Sequence, residues 1–534
     1  MPITMSEEKV FIRKTSGLVR SFGTIDAFWF NFYAMNPLLG AVFAFMFSAA
    51  VFPNGHPVMG LILATIGTIF MASVYAYLTS AMPRSGGDYI FTSRILHPAL
   101  GFSATLHFNF WVWTWLALNA YLTITFLVKF LDSIGLSGAS AVTADSTLLF
   151  VAGLVYIVLS GVIIISGLKN YVRIQFVCAI LGLISAIVIV LDLFAKSGTF
   201  VTGFNQYAQP FTNNPDSYNY FIRTAKDLGF SGFTGFDTIE TVGVMAVMWL
   251  FMCVPMASNV FAGEIKNASQ IRVNMLSMGL AGLIAGLLAA AAIGGIMMTY
   301  GWEFFTSISW IALNHPEVWT LARSAEYTSL YYAIESSPAI LALVMLGMFT
   351  AAFVLVPMDV IWFTRYTFAW SFDRVLPAKL ADVHSRLRSP VKAIILNIVL
   401  GIIWWYLFLY TGIFSILAAS LVGTMISPLL TSIAGILFPY RNKRVYDASP
   451  IKRSFGGIPA ITVVGVLSTI YLLVMISYYF SFPALMGLAV SPVVGSIIVA
   501  IFVGCIAYYY VVRAYRLRKE SIDINWAFRE VPPL

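Results

Sequence analysis

An all-α bundle of twelve membrane-spanning helices is the architecture this sequence predicts, on three observations. Of the 534 residues, 60% are hydrophobic and 10% are charged, against roughly 25% charged in an ordinary soluble domain. A water-facing surface of the usual kind cannot be built from that composition. Apolar runs long enough to cross about 30 Å of hydrocarbon, which takes about 20 residues in a helix, recur along almost the whole chain. The basic residues then divide unevenly between the two faces. Lys129, Lys196, Arg223, Lys226 and Arg323 fall on one side, and the rest of the 31 Lys and Arg fall on the side of the tails. Short basic loops stay cytoplasmic, so both termini are expected in the cytoplasm and the protein in the cell membrane.

The spans are expected near 22–50, 57–81, 98–131, 147–167, 171–195, 240–263, 275–300, 338–366, 391–412, 414–440, 458–482 and 490–514. The narrowest divide lies at Thr411-Gly412. The chain thus reads as a tail (1–21), five helices (22–195), a long outer loop (196–239), five more helices (240–440), two further helices (441–514) and a second tail (515–534). A second outer loop covers 301–337. Each outer loop reads either as a lid over an external vestibule or as a variable surface segment with short interfacial helices. The first tail carries Glu7, Glu8, Lys9, Arg13 and Lys14 with no apolar run directly after Met1, so it does not read as a cleavable signal. Cys178, Cys253 and Cys505 lie singly inside apolar runs; they suggest neither disulfides nor a metal site.

Two helices carry breakers that form a pair. The first contains Tyr33-Ala34-Met35-Asn36-Pro37-Leu38-Leu39-Gly40 and the sixth contains Met252-Cys253-Val254-Pro255. Each proline removes a backbone donor and frees a carbonyl one turn earlier. The two helices run in opposite directions across the membrane, as an inverted five-plus-five repeat requires, and carriers built this way place their site where such helices come apart. Pro357 in the eighth helix and Pro428 in the tenth leave simple kinks open as the alternative.

Three stretches resemble motifs of the amino acid, polyamine and organocation (APC) superfamily. Pro83-Arg84-Ser85-Gly86-Gly87-Asp88-Tyr89 is similar to its P-x-x-G-G-x-Y loop. Gly263-Glu264-Ile265-Lys266-Asn267 is similar to G-E-x-x-N-P, with Ala268 in place of the proline. Thr364-Arg365, Ala369, Asp373, Leu376-Pro377 and Ser389-Pro390 resemble the signature after the eighth helix. All three fall on the expected cytoplasmic face.

The resemblance implies a leucine-transporter-type fold, with two extra C-terminal helices after the ten-helix core and alternating access around helices one and six. It implies a substrate site at Tyr33, Ala34, Met35, Asn36, Pro37, Gly40, Met252, Cys253, Val254 and Pro255, and an aromatic gate at Trp249. Glu264 and Arg365 read either as an inner gate pair or as solvated charges. Relatives that bind α-amino acids resemble G-S-G at the first break, where backbone N–H groups hold the carboxylate. Here Pro37 cannot donate and Gly40 alone keeps the backbone permissive. One subgroup places a coupling lysine seven residues after a glutamine matching Gln175; that position is Gly182. Thr350 is the hydroxyl available for sodium. Asp359, an acid within hydrocarbon, reads either as a proton carrier lining a cavity or as a partner of Arg365. Asn31, His107 and Asn109 are further polar groups inside spans, on the pathway or in interhelical hydrogen bonds.

A secondary carrier of an amino acid or related organic cation is therefore expected, working as a proton or sodium symporter or exchanger. Its partners would be the solute, the ion and the lipid bilayer, with no nucleic acid and no cofactor. There is no G-x-x-x-x-G-K-S/T loop for ATP. A solute sensor without transport and a membrane enzyme stand as alternatives. The five histidines are too scattered for a clustered catalytic site.

Overall fold

Inside hydrocarbon every backbone donor and acceptor must be satisfied within the chain, and this chain does it with helices. The computed structural model describes residues 20–321, 323–387, 389–411, 417–482 and 492–528. Among them the only paired strands are Ser454–Phe455 and Ile458–Pro459. Among the described residues eleven helices are long and apolar enough to cross a membrane: Thr24–Val51, Pro57–Ala81, Pro98–Ser133, Ser146–Ile165, Leu168–Ala195, Ile271–Thr299, Pro338–Phe372, Val391–Tyr410, Ser420–Arg441, Ala460–Ser481 and Gly495–Glu520. A shorter apolar helix, Thr238–Met252, stands where the sixth span is expected. The protein is an all-α polytopic membrane protein.

Local chemistry explains the boundaries. Pro57, Pro98 and Pro338 open their helices, where the missing N–H has no intrahelical partner to lose. The His56 and His97 side chains accept from the first-turn N–H groups of Met59 and Ala99. Gly167, at φ +113°, turns the fourth helix directly into the fifth. Within the bilayer, small residues let helices meet closely: a Cβ on Gly347 would fall 2.0 Å from the Cβ of Ser185, and one on Gly153 would fall within the Trp405 ring.

Two expectations are revised. The sixth helix does not run to 263. It stops at Met252, and short 3-10 turns at Ala257–Val260 and Ala262–Glu264 carry the chain onward. The eighth is two helices, Pro338–Phe353 and Leu355–Phe372. The outer loops carry the short helices that the surface-segment reading includes. Helices Phe200–Thr212 and Ser217–Asp227 of the first pack on Trp302–Asn314 of the second, with Tyr218 stacked on Phe304 at 4.4 Å. Gly412 and residues 1–19 lie outside the described residues.

The two described ends of the chain share one side of the bundle. Phe22 bridges to Ile265, Ser85 bridges to Phe261, and the Tyr89 ring meets that of Phe528. On the opposite side the five segregated cations each meet an acid: Lys129 with Glu326, Lys196 with Asp192, Arg223 with Asp216, Lys226 with Glu303 and Arg323 with Asp132.

Candidate functional site at three interrupted helices

The first helix ends at Met35 and restarts at Leu39. Asn36 makes the interruption. Its φ is +47°, in the left-handed region that asparagine tolerates better than most residues. Its Nδ2 donates to the Ala351 carbonyl at 2.9 Å, tying this break to the eighth helix. In the sixth, Cys253-Val254-Pro255 interrupts the helix, and the Thr68 hydroxyl donates to the Met252 carbonyl at 3.2 Å. Pro357 removes the donor that would meet the Phe353 carbonyl. The Tyr156 hydroxyl supplies one instead at 2.6 Å, so the eighth helix changes course at Val354 without leaving that carbonyl bare.

These interruptions surround a cavity of about 270 Å³. The first helix contributes Ala34, Met35, Asn36, Leu39, Gly40, Phe43, Met46 and Phe47. The sixth contributes Leu250, Cys253 and Val254, and the eighth Leu355, Met358, Asp359 and Trp362. The third adds Phe108, Val112, Trp115, Leu118, Asn119 and Leu122, and the tenth adds Thr424. Asp359 is the only charged residue among the described residues of this wall. It does not pair with Arg365; its carboxyl accepts from Asn119 Nδ2 at 3.0 Å.

Of the expected substrate residues, Ala34, Met35, Asn36, Gly40, Cys253 and Val254 reach the cavity, and Tyr33, Pro37, Met252 and Pro255 do not line it. Trp249 stands behind the wall, fully buried, with its indole N–H on Thr424 at 3.3 Å. Thr350 donates to the Gly347 carbonyl in its own helix. Asn31 joins the first helix to Ser258 at 2.9 Å and to the Ser277 carbonyl at 2.7 Å. His107 accepts from Trp111 at 3.0 Å and lies 3.2 Å from the Ile498 carbonyl. The contribution of the third helix was missed. Asn119 gives the same signal that marks Asn109, a polar side chain inside a span, but its pairing with a residue 240 positions away is set by packing alone.

Gly182 now has a physical reason to be small. The Tyr33 hydroxyl donates to the Ala179 carbonyl at 2.9 Å, and a Cβ at 182 would fall 2.5 Å from that oxygen. Gly182→Ala is therefore expected to lower thermal stability in detergent by about 1–3 kcal/mol, the usual range for overpacking. Adding Tyr33→Phe should restore most of it. An unchanged unfolding temperature in the single variant would remove the steric account.

The tail side of the cavity is latched. Arg365 grips Glu264 through two parallel bonds, Nε to Oε1 at 2.6 Å and a terminal nitrogen to Oε2 at 2.9 Å. The two side chains are 1% and 4% exposed, so they are not solvated surface charges. The Ser21 and Phe22 N–H groups donate to the Glu264 carbonyl, and Lys266 returns a bond to Phe22. Beside this latch Asp88 accepts from Tyr75, Tyr366 and Ser427. Burial pushes its carboxyl above the usual range despite those hydroxyls. Arg94 holds Asp373 at 2.6 Å, with the Tyr89 hydroxyl on the same carboxylate.

The opposite side is covered by the second outer loop. The Tyr327 hydroxyl donates to the Leu38 carbonyl, inside the first break, at 3.1 Å. Next to it Glu326 is anchored by Lys129 at 2.9 Å. Burial raises the Glu326 carboxyl, but the ammonium together with Ser329 and Thr328 outweighs it and holds the group below its usual range.

A family model described as amino acid permease matches residues 22–512. No curated protein matches the chain. The match takes in every interrupted helix, the cavity and the latch, and the chain accordingly belongs to an amino acid permease family of the APC superfamily, as a multi-pass membrane transporter.

Proposed function

We propose that the protein is a secondary active transporter that carries amino acids or related small organic cations across the cell membrane by alternating access. Both termini face the cytoplasm, and the ten-helix core is a leucine-transporter-type five-plus-five repeat. The observation that carries this reading is the cavity where the first, sixth and eighth helices are all interrupted, closed on the tail side by the buried Glu264–Arg365 pair. A latch on one side of a solute-sized cavity is what alternation between two openings needs. Glu264 and Arg365 form the inner gate. Trp249 acts on the cavity through Thr424, so gating by its ring would proceed by moving the tenth helix. Asp359 is the coupling group and the ion is a proton; Thr350, whose hydroxyl is turned into its own helix, offers little to sodium.

Reconstitution in liposomes with labelled amino acids and polyamines tests this. A pH gradient is expected to drive uptake in the wild type, and Asp359→Asn to reduce the driven component at least tenfold. Uptake driven equally by sodium in both forms would overturn the assignment of the ion. Binding without uptake would favour a sensor, and chemical turnover without translocation an enzyme.

A further inference from the structure

Resting on that carrier reading, we infer that Asp359 is the counter-ion for the substrate's ammonium group, that the substrate is an amine with an apolar body, and that proton and amine occupy this one carboxyl in turn. The cavity wall is apolar almost throughout. Among the described residues it holds one carboxyl, 8% exposed, and no lysine, arginine or histidine. An ammonium entering it meets Asp359, Asn119 and the aromatic residues Phe108, Trp115 and Trp362, rings of a kind whose faces attract cations.

A carboxylate meets the reverse. At the first break the Leu39 N–H bonds Asn36 Oδ1 at 3.2 Å, the Gly40 N–H bonds the Asn36 carbonyl at 2.9 Å, and Pro37 has no N–H to offer. An anion in this cavity would face the charge of Asp359.

Alternation follows from the cost of burying charge. An ionised carboxyl in an apolar site must be neutralised by a proton or balanced by a cation. Among the described residues the titratable groups facing Asp359 are Tyr156 of the fourth helix, Tyr171 of the fifth and the Cys253 thiol across the cavity. Both phenol hydroxyls donate to carbonyls of the eighth helix, at Phe353 and Val354. Arg365, six positions along, is held by Glu264. None of these supplies a positive charge to Asp359. When the amine enters as its ammonium ion, the carboxyl proton leaves to water. One monovalent cation replaces another, and the occupied cavity stays neutral in both states.

Calorimetry on the purified wild-type protein between pH 5 and 8 tests this with three probes of one skeleton: 2-phenylethylamine, phenylalanine and 3-phenylpropionate. The amine is expected to bind at least tenfold more tightly than either carboxylate-bearing probe. Its affinity should weaken about tenfold per pH unit below the carboxyl's titration, by linkage. Repeating the titration in buffers of different ionisation enthalpy should show one proton released per amine bound within this range. Asp359→Asn preserves volume and an acceptor for Asn119; it should lose amine affinity at least tenfold and lose the pH dependence. Asp359→Glu should retain both.

No amine binding, equal binding of 3-phenylpropionate, no proton release at any pH in the range, or wild-type amine affinity in Asp359→Asn would each overturn the inference. The carrier reading fails separately. Amine that binds with proton release but is not accumulated by liposomes would sink the carrier and leave the counter-ion standing. Phenylalanine accumulated equally by wild type and Asp359→Asn would do the opposite.

Discussion

Arg365→Ala is expected to abolish uptake and to lower the unfolding temperature of the purified protein by many degrees. The substitution leaves the Glu264 carboxylate buried with no cation against it, and breaking such a pair from one side costs about 3–5 kcal/mol. It also opens the tail side, because the same Glu264 residue carries the backbone bonds to Ser21 and Phe22. Arg365→Lys should recover little: one ammonium cannot reproduce two parallel bonds from a planar guanidinium. Removing both charges with Glu264→Gln and Arg365→Met should recover stability, since no unpaired charge remains, but not transport. Liposome uptake and thermal unfolding measured on the four proteins separate these effects. Wild-type uptake in Arg365→Ala would show that the pair is not a gate.

Gly40→Val is expected to be nearly as damaging, through sterics alone. A Cβ at residue 40 would lie 2.2 Å from the Cβ of Phe251, where the second half of the first helix crosses the last turn of the sixth. Two helices meeting at that distance cannot absorb a branched side chain by a rotamer change, so the halves must separate and the cavity between them must deform. Uptake should fall at least tenfold. Phe251→Gly in the same chain, which removes the clashing Cβ itself, should restore part of it, and the coupling between the two substitutions is read from the double-mutant cycle. Additive effects would mean that the crossing is not the cause.

The helices were legible because their cause is local. A run of apolar residues crosses the bilayer whatever its neighbours do, and the tail-side excess of Lys and Arg follows from the same linear order. Proline breaks were legible for a similar reason, since Pro37, Pro255 and Pro357 each delete a donor wherever they stand. Their consequences were not. Whether a proline bends a helix or opens it depends on what satisfies the freed carbonyl. At Pro357 the answer is a tyrosine from the fourth helix. The sixth helix ended earlier than its hydropathy suggests because the stretch after Pro255 is apolar enough for a span yet is packed as short turns between other helices.

The sequence by itself determined the class of the molecule, the approximate placing of its spans, and the residues at which helices one and six come apart, because composition, run length and missing N–H groups are properties of the chain read in order. Only the tertiary structure decided which side chains face one another. It gave Arg365 to Glu264 and Asp359 to Asn119, set Trp249 behind the cavity wall, and placed the Tyr33 hydroxyl in the space beside Gly182. Those pairings join residues 101 to 240 positions apart. No local rule reaches across that distance; the packing of helices against helices does.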